Sequence, residues 1–141
     1  MTSAAEAVAG ATSRTRFRRT YPGHPSQVGQ VRRDLAEIIT GFPLADDLLL
    51  VASELCANAV VHSRSGRPSG GFTVLANVRP GQFVWIEVMD QGGVWDSAQH
   101  DDDRPHGLDI VRALAGDTNW GVDGDRSFAR VVWVRLRWPR D

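Results

Sequence analysis

The run FVWIEVM at residues 83–89 places an apolar residue at every second position, the period of a strand with one covered face. Val84, Ile86 and Val88 share that face, and Asp90 is the next residue on it. A strand that ends by turning a carboxylate toward the core makes two demands. Something must cover the face, and something must give the carboxylate donors, because a buried charge without partners is very costly. FTVLANV (72–78) precedes this strand across a Pro-Gly turn, so the two form a hairpin. TNWGV (118–122) and FARVVWVRLRW (128–138) form a second hairpin around DGDRS. Trp85 and Trp133 lie within these strands, where aromatic residues are well placed.

The covering layer comes from helices. SQVGQVRRDLAEIIT (26–40) repeats apolar residues at Val28, Val31, Leu35 and Ile38 or Ile39, with Ser26 as the expected N-cap and Gly41 as the stop. A second helix runs from about Leu44 to His62 with the stripe Leu48, Val51, Ala52, Leu55 and Ala59, and LDIVRALAG (108–116) is a third, ending at Gly116. The Arg-rich segment SRTRFRRTY (13–21) reads as an edge strand ended by PGHP. The order strand, helix, helix, strand, strand, helix, strand, strand predicts an α+β fold: a two-layer sandwich, its mixed sheet covered by helices on one face. Residues 1–13 read as a flexible tail and residues 14–141 as a single domain.

Bulk properties narrow the function classes. The chain has 141 residues and a formal net charge of -1, which argues against a dedicated nucleic-acid binder. Its one cysteine, Cys56, allows no internal disulfide and no cysteine-based zinc site; flanked by apolar residues on a helix, it reads as a packed thiol. The first residues lack the basic start and apolar block of a signal peptide. No run reaches the roughly 18 apolar residues of a membrane span. The expected location is cytoplasmic.

Three stretches carry chemistry. In SELCANAVVHS (53–63), Glu54, Asn58 and His62 recur at steps of four. They form a polar line beside the apolar stripe, at the margin where the helix meets its neighbours. DQGG (90–93) ends the strand with Asp90, and its glycines allow a ring to approach the backbone closely. RPHGLDIV (104–111) puts Gly107 at a helix start, where unpaired N–H groups suit a phosphate. The acidic and imidazole cluster HDDDRPH (100–106) reads as a solvated loop, since consecutive ligands cannot all converge on one ion.

In order and spacing, the three stretches resemble the boxes of the GHKL ATPase superfamily, which includes gyrase and the histidine kinases. ELCANAVVH is similar to the N box, DQGG to the first glycine box and PHGL to the second. In size and pattern the chain resembles the small anti-sigma factors of Gram-positive bacteria, which are serine/threonine kinases. The resemblance covers roughly residues 14–138 and implies the Bergerat ATP-binding fold with ATP and Mg²⁺ as cofactors. It implies Asn58 as the Mg²⁺ ligand, Glu54 as general base, Asp90 as acceptor of the adenine amino group, Gly92 as the close-packing glycine, and Gly107 with Leu108 at the phosphate side. His62 matches a position often filled by His in the small kinases, in a structural role.

Two positions depart from the pattern. Pro105 stands where the second glycine box begins, and its fixed φ and missing N–H exclude a glycine conformation there. ARVV (129–132) replaces the Gly-Lys-Thr/Ser-Val of the last strand, with Val131 at the hydroxyl position. The resemblance implies an ATP/Mg²⁺-binding anti-sigma-type regulator that phosphorylates an anti-sigma factor antagonist. Its partners would be a sigma factor and that antagonist, and its assembly a homodimer, with no nucleic acid or membrane contact. Pro105 and Val131 favour an alternative, a non-catalytic switch module that sequesters a partner with little or no turnover. A third reading, the ATPase part of a histidine kinase, is disfavoured, because the chain has no room for a dimerisation helix pair with its phosphoacceptor histidine.

Overall fold

A computed structural model describes residues 14–62, 67, 69–91, 107–116, 119–123 and 129–140. The elements in chain order are β1 (Thr15–Pro22), α1 (Gln27–Ile38), α2 (Ala45–His62), β2 (Gly71–Arg79), β3 (Phe83–Asp90), α3 (Gly107–Ala115), β4 (Trp120–Asp123) and β5 (Arg130–Arg137). The expected α+β sandwich is what the chain forms.

The strands lie in the order β1-β2-β3-β5-β4, and every pairing is antiparallel. The expected mixed sheet is therefore corrected. β3 and β4 run the same way across the α3 connection, but β5 folds back and inserts between them, so no parallel pair forms. β1 is one free edge of the sheet and β4 the other.

Alternation decides which face is covered. β2 and β3 bury every second residue, and β5 does so at Arg130, Val132, Val134 and Leu136. Against that face α2 packs Leu48, Val51, Ala52, Leu55 and Ala59, all at 2% exposure or less, and α1 packs Val31 and Leu35. Each such leucine contributes about 1.5–3 kcal/mol by leaving water. Burial pushes the Cys56 thiol well above its ordinary value, so it is an inert core residue.

Local signals hold with one exception. Gly116 takes the left-handed φ of 85° that stops α3, and its N–H donates to the Arg112 carbonyl. Ser26, expected to cap α1, makes no side-chain cap bond. Its backbone is already helical, and its hydroxyl lies 2.8 Å from His24 Nδ1 instead. Among the described residues, no helix is long and apolar enough to cross a membrane.

Candidate functional site

Helix α2 sets the first part of the site. Its apolar side is fully buried, while Glu54 and Asn58 are half-buried at the margin, as the periodicity required. One turn apart, their Cβ atoms are roughly 5–6 Å from each other. Neither side chain has a hydrogen-bond or ion-pair partner among the described residues. His62 ends the helix, and its side chain lies outside the described residues.

β3 supplies the second part. Asp90 is its last residue and 3% exposed, as the pleat predicted. α2 packs across β3 and against α3, so the elements carrying Glu54, Asn58, Asp90 and Gly107 meet. Gly107 is the first residue of α3, which also carries Asp109 in its first turn. Leu108 follows it, with a side chain outside the described residues. Gly92, Pro105 and the segment His100–His106 also lie outside them. Among the described residues, no group of three or more His, Cys, Asp or Glu could hold a metal ion by itself.

Donors for Asp90 come from the chain itself. Its register partner on β5 is Arg130. Nε and Nη2 of Arg130 donate to Asp90 Oδ2 at 3.0 and 2.6 Å. Asp90 and Arg130 are the only buried polar or charged residues among those described. Sequence reasoning missed Arg130 and placed weight on Val131. In the sheet, Val131 pairs with Met89 on the face away from the helices, and Arg130 is the residue turned toward the site. The signal was present: Val132, Val134 and Leu136 fix the buried phase of β5, and counting back two residues from Val132 reaches Arg130.

The neighbouring loop end is tied down as well. Gln91 accepts a hydrogen bond from the Gly71 amide through Oε1 at 3.0 Å, joining the end of β3 to the start of β2. A recess of about 390 Å³ reaches Asp90 here, lined also by Thr20, Ser69, Thr73, Met89 and Ala129. A larger recess of about 560 Å³ contains none of these site residues; it opens on the sheet face away from the helices, the face to which Thr20, Thr73 and Met89 also belong.

Residues 21–134 match the histidine kinase-like ATPase domain. The chain belongs to that family. Among curated proteins, none matches the chain. Among solved structures, it is similar to the RsbU and RsbW domains of Rv1364c from Mycobacterium tuberculosis. The TM-score is 0.70 and the identity 21%, over 90% of this chain and 33% of that one. That likeness is one of fold, and this chain spans a third of the length of the chain in that structure.

The donor set fits a magnesium nucleotide. Asn58 offers a half-buried amide oxygen, Glu54 a carboxylate one turn away, and Asp90 a buried carboxylate on an element that both the helix and the sheet hold in place.

Proposed function

We propose that this domain binds ATP with Mg²⁺ and acts as an anti-sigma-type regulator that phosphorylates a serine or threonine of an antagonist protein. The observation that carries the reading is the shared side of the site: Asp90 is turned toward the helix layer at the end of β3, and α2 packs across that strand with Glu54 and Asn58 at its margin.

In this reading Asp90 accepts from the adenine amino group, and Gly92 lets the ring approach. Asn58 holds the metal through its side-chain oxygen, and Gly107 with Leu108 meets the phosphates at the start of α3. Bound Mg²⁺ supplies charge neutralisation across the phosphates. Glu54 takes the proton of the attacking hydroxyl. Its position beside Asn58 keeps base and metal ligand on one strip of one helix. A sigma factor and an anti-sigma factor antagonist are the proposed protein partners, and a homodimer the proposed assembly; the likeness in fold to a structure containing an RsbW domain supports the partner reading.

One observation favours the second reading, a switch module with weak nucleotide binding. Oδ2 of Asp90 already accepts two bonds from Arg130, so a base must use the remaining acceptor capacity of that carboxylate. Phosphotransfer separates the two readings. With ATP, Mg²⁺ and a cognate antagonist, the wild-type chain should transfer phosphate. Glu54→Ala should keep its ATP affinity and lose roughly 10²–10⁴-fold in rate, the usual worth of a general base. Transfer by the variant at the wild-type rate would remove Glu54 from that role, and no transfer by the wild type would favour the switch module.

A further inference from the structure

The sheet face away from the helices carries side chains that the nucleotide site does not use. Its cross-strand rows follow from the register. One reads Arg16, Asn77, Trp85, Arg135, and the next reads Arg18, Leu75, Glu87, Trp133, Gly121. Arg79, Phe83 and Arg137 form a third. Five arginines thus share a face with two carboxylates, Glu87 and Asp123, on a chain whose net charge is -1. Arg16, Arg18, Arg79 and Arg137 have no carboxylate partner among the described residues.

Between these arginines lies the recess of about 560 Å³, floored by Leu75, Phe83 and Trp85 and rimmed by Arg16 and Arg18. Asn77 Oδ1, inside it, is buried without a hydrogen-bond partner, and so is Arg79 Nε at the neighbouring position.

We propose that this face docks an acidic protein segment, with its carboxylates on Arg16 and Arg18 and an apolar side chain on the Leu75–Phe83–Trp85 floor. Charge complementarity selects the partner. A second copy of this chain would bring arginine against arginine. Single-stranded nucleic acid would need an open aromatic face beside the arginines, but Trp85 and Trp133 stack on each other at 4.5 Å and 4°. Trp133 also covers Gly121, where an added Cβ would stand 2.7 Å from its Nε1. Glu87, which also lines the recess and accepts from Trp85 Nε1 at 2.8 Å, lies beside the apolar floor, so the partner's carboxylates belong at Arg16 and Arg18 and its apolar side chain at the floor. The free edge of β1 adjoins the recess and gives an extended segment main-chain partners.

The test uses the whole chain and a fluorescein-labelled peptide of about a dozen residues, with glutamates flanking a central Leu-Phe pair. Fluorescence anisotropy should show binding that weakens as salt rises, and Arg16→Glu/Arg18→Glu should weaken it about tenfold or more. Both residues are exposed, and an unchanged urea midpoint confirms that the variant is folded. Nucleotide affinity should be the same in both proteins, which separates this surface from the nucleotide site. Three results would overturn the proposal. One is equal affinity for a peptide with glutamine in place of glutamate. Another is tighter binding of oligo-dT than of the acidic peptide. The last is a dimer in light scattering that the double variant dissociates.

Discussion

Arg130–Asp90 and Arg19–Asp34 each bring a guanidinium nitrogen to 2.6 Å from a carboxylate oxygen. In the first pair both side chains are at most 3% exposed. In the second the arginine is 50% exposed and the aspartate 18%. Equal distance therefore hides different consequences. Breaking the buried pair strands a charge where water cannot reach it, while the exposed pair exchanges one solvated partner for another. The surroundings differ too. Asp34 also accepts from the Tyr21 hydroxyl at 2.7 Å and from Gln30 Nε2 at 2.8 Å, so it fastens β1 to α1 through several donors. Burial alone would raise its pKa. The hydrogen bonds from Tyr21 and Gln30 and the charge of Arg19 outweigh burial and hold the carboxyl below its ordinary value of 3.8. The Tyr21 phenol is pushed up, by burial first and then by the bond to Asp34.

The largest test of this contrast is Arg130→Met. It should cost about 3–5 kcal/mol in urea unfolding, the usual effect of removing one partner of a buried pair. Arg130→Met combined with Asp90→Leu should recover much of the loss, because no charge is then stranded. A single variant as stable as wild type would mean that water reaches Asp90 after all. Next in size is Tyr21→Phe, which removes a hydrogen bond to an ionised acceptor and should cost about 1.5–3 kcal/mol. Its pH dependence has a definite sign. A folded-state pKa below the unfolded value adds stability that is fully present above the unfolded value and fades as pH falls through the folded one. The gap between wild type and Tyr21→Phe should therefore be flat at neutral pH and shrink only below about pH 4. Arg19→Ala should have the smallest effect, under about 1 kcal/mol, and added salt should reduce it further.

Much of this was legible in the chain. The alternation of β3 places Asp90 in the core without any structure, and the steps of four place Glu54 and Asn58 at the margin of α2. The partner of Asp90 was less accessible, because it depends on which strand lies beside β3 and in what register, a pairing between residues 40 apart. The sheet was expected to be mixed because chain order alone does not show that β5 inserts between β3 and β4. Ser26 failed as a cap because His24, two residues earlier, competes for its hydroxyl. The open face illustrates the same limit. SRTRFRRTY suggested a charged edge, but only the register shows Arg16 in one row with Trp85 and Arg135, and Arg18 in the next with Glu87 and Trp133.

In the proposed site Asp90 serves a nucleotide while Arg130 neutralises it. Calorimetric titration of ATP into wild type and Asp90→Asn, each with and without Mg²⁺, tests this most directly. The prediction is Mg²⁺-dependent binding to the wild type, weakened by about 1–3 kcal/mol in Asp90→Asn, where one acceptor oxygen becomes a donor amide. Equal ATP affinity in the two proteins, or no ATP binding to the wild type, would contradict it.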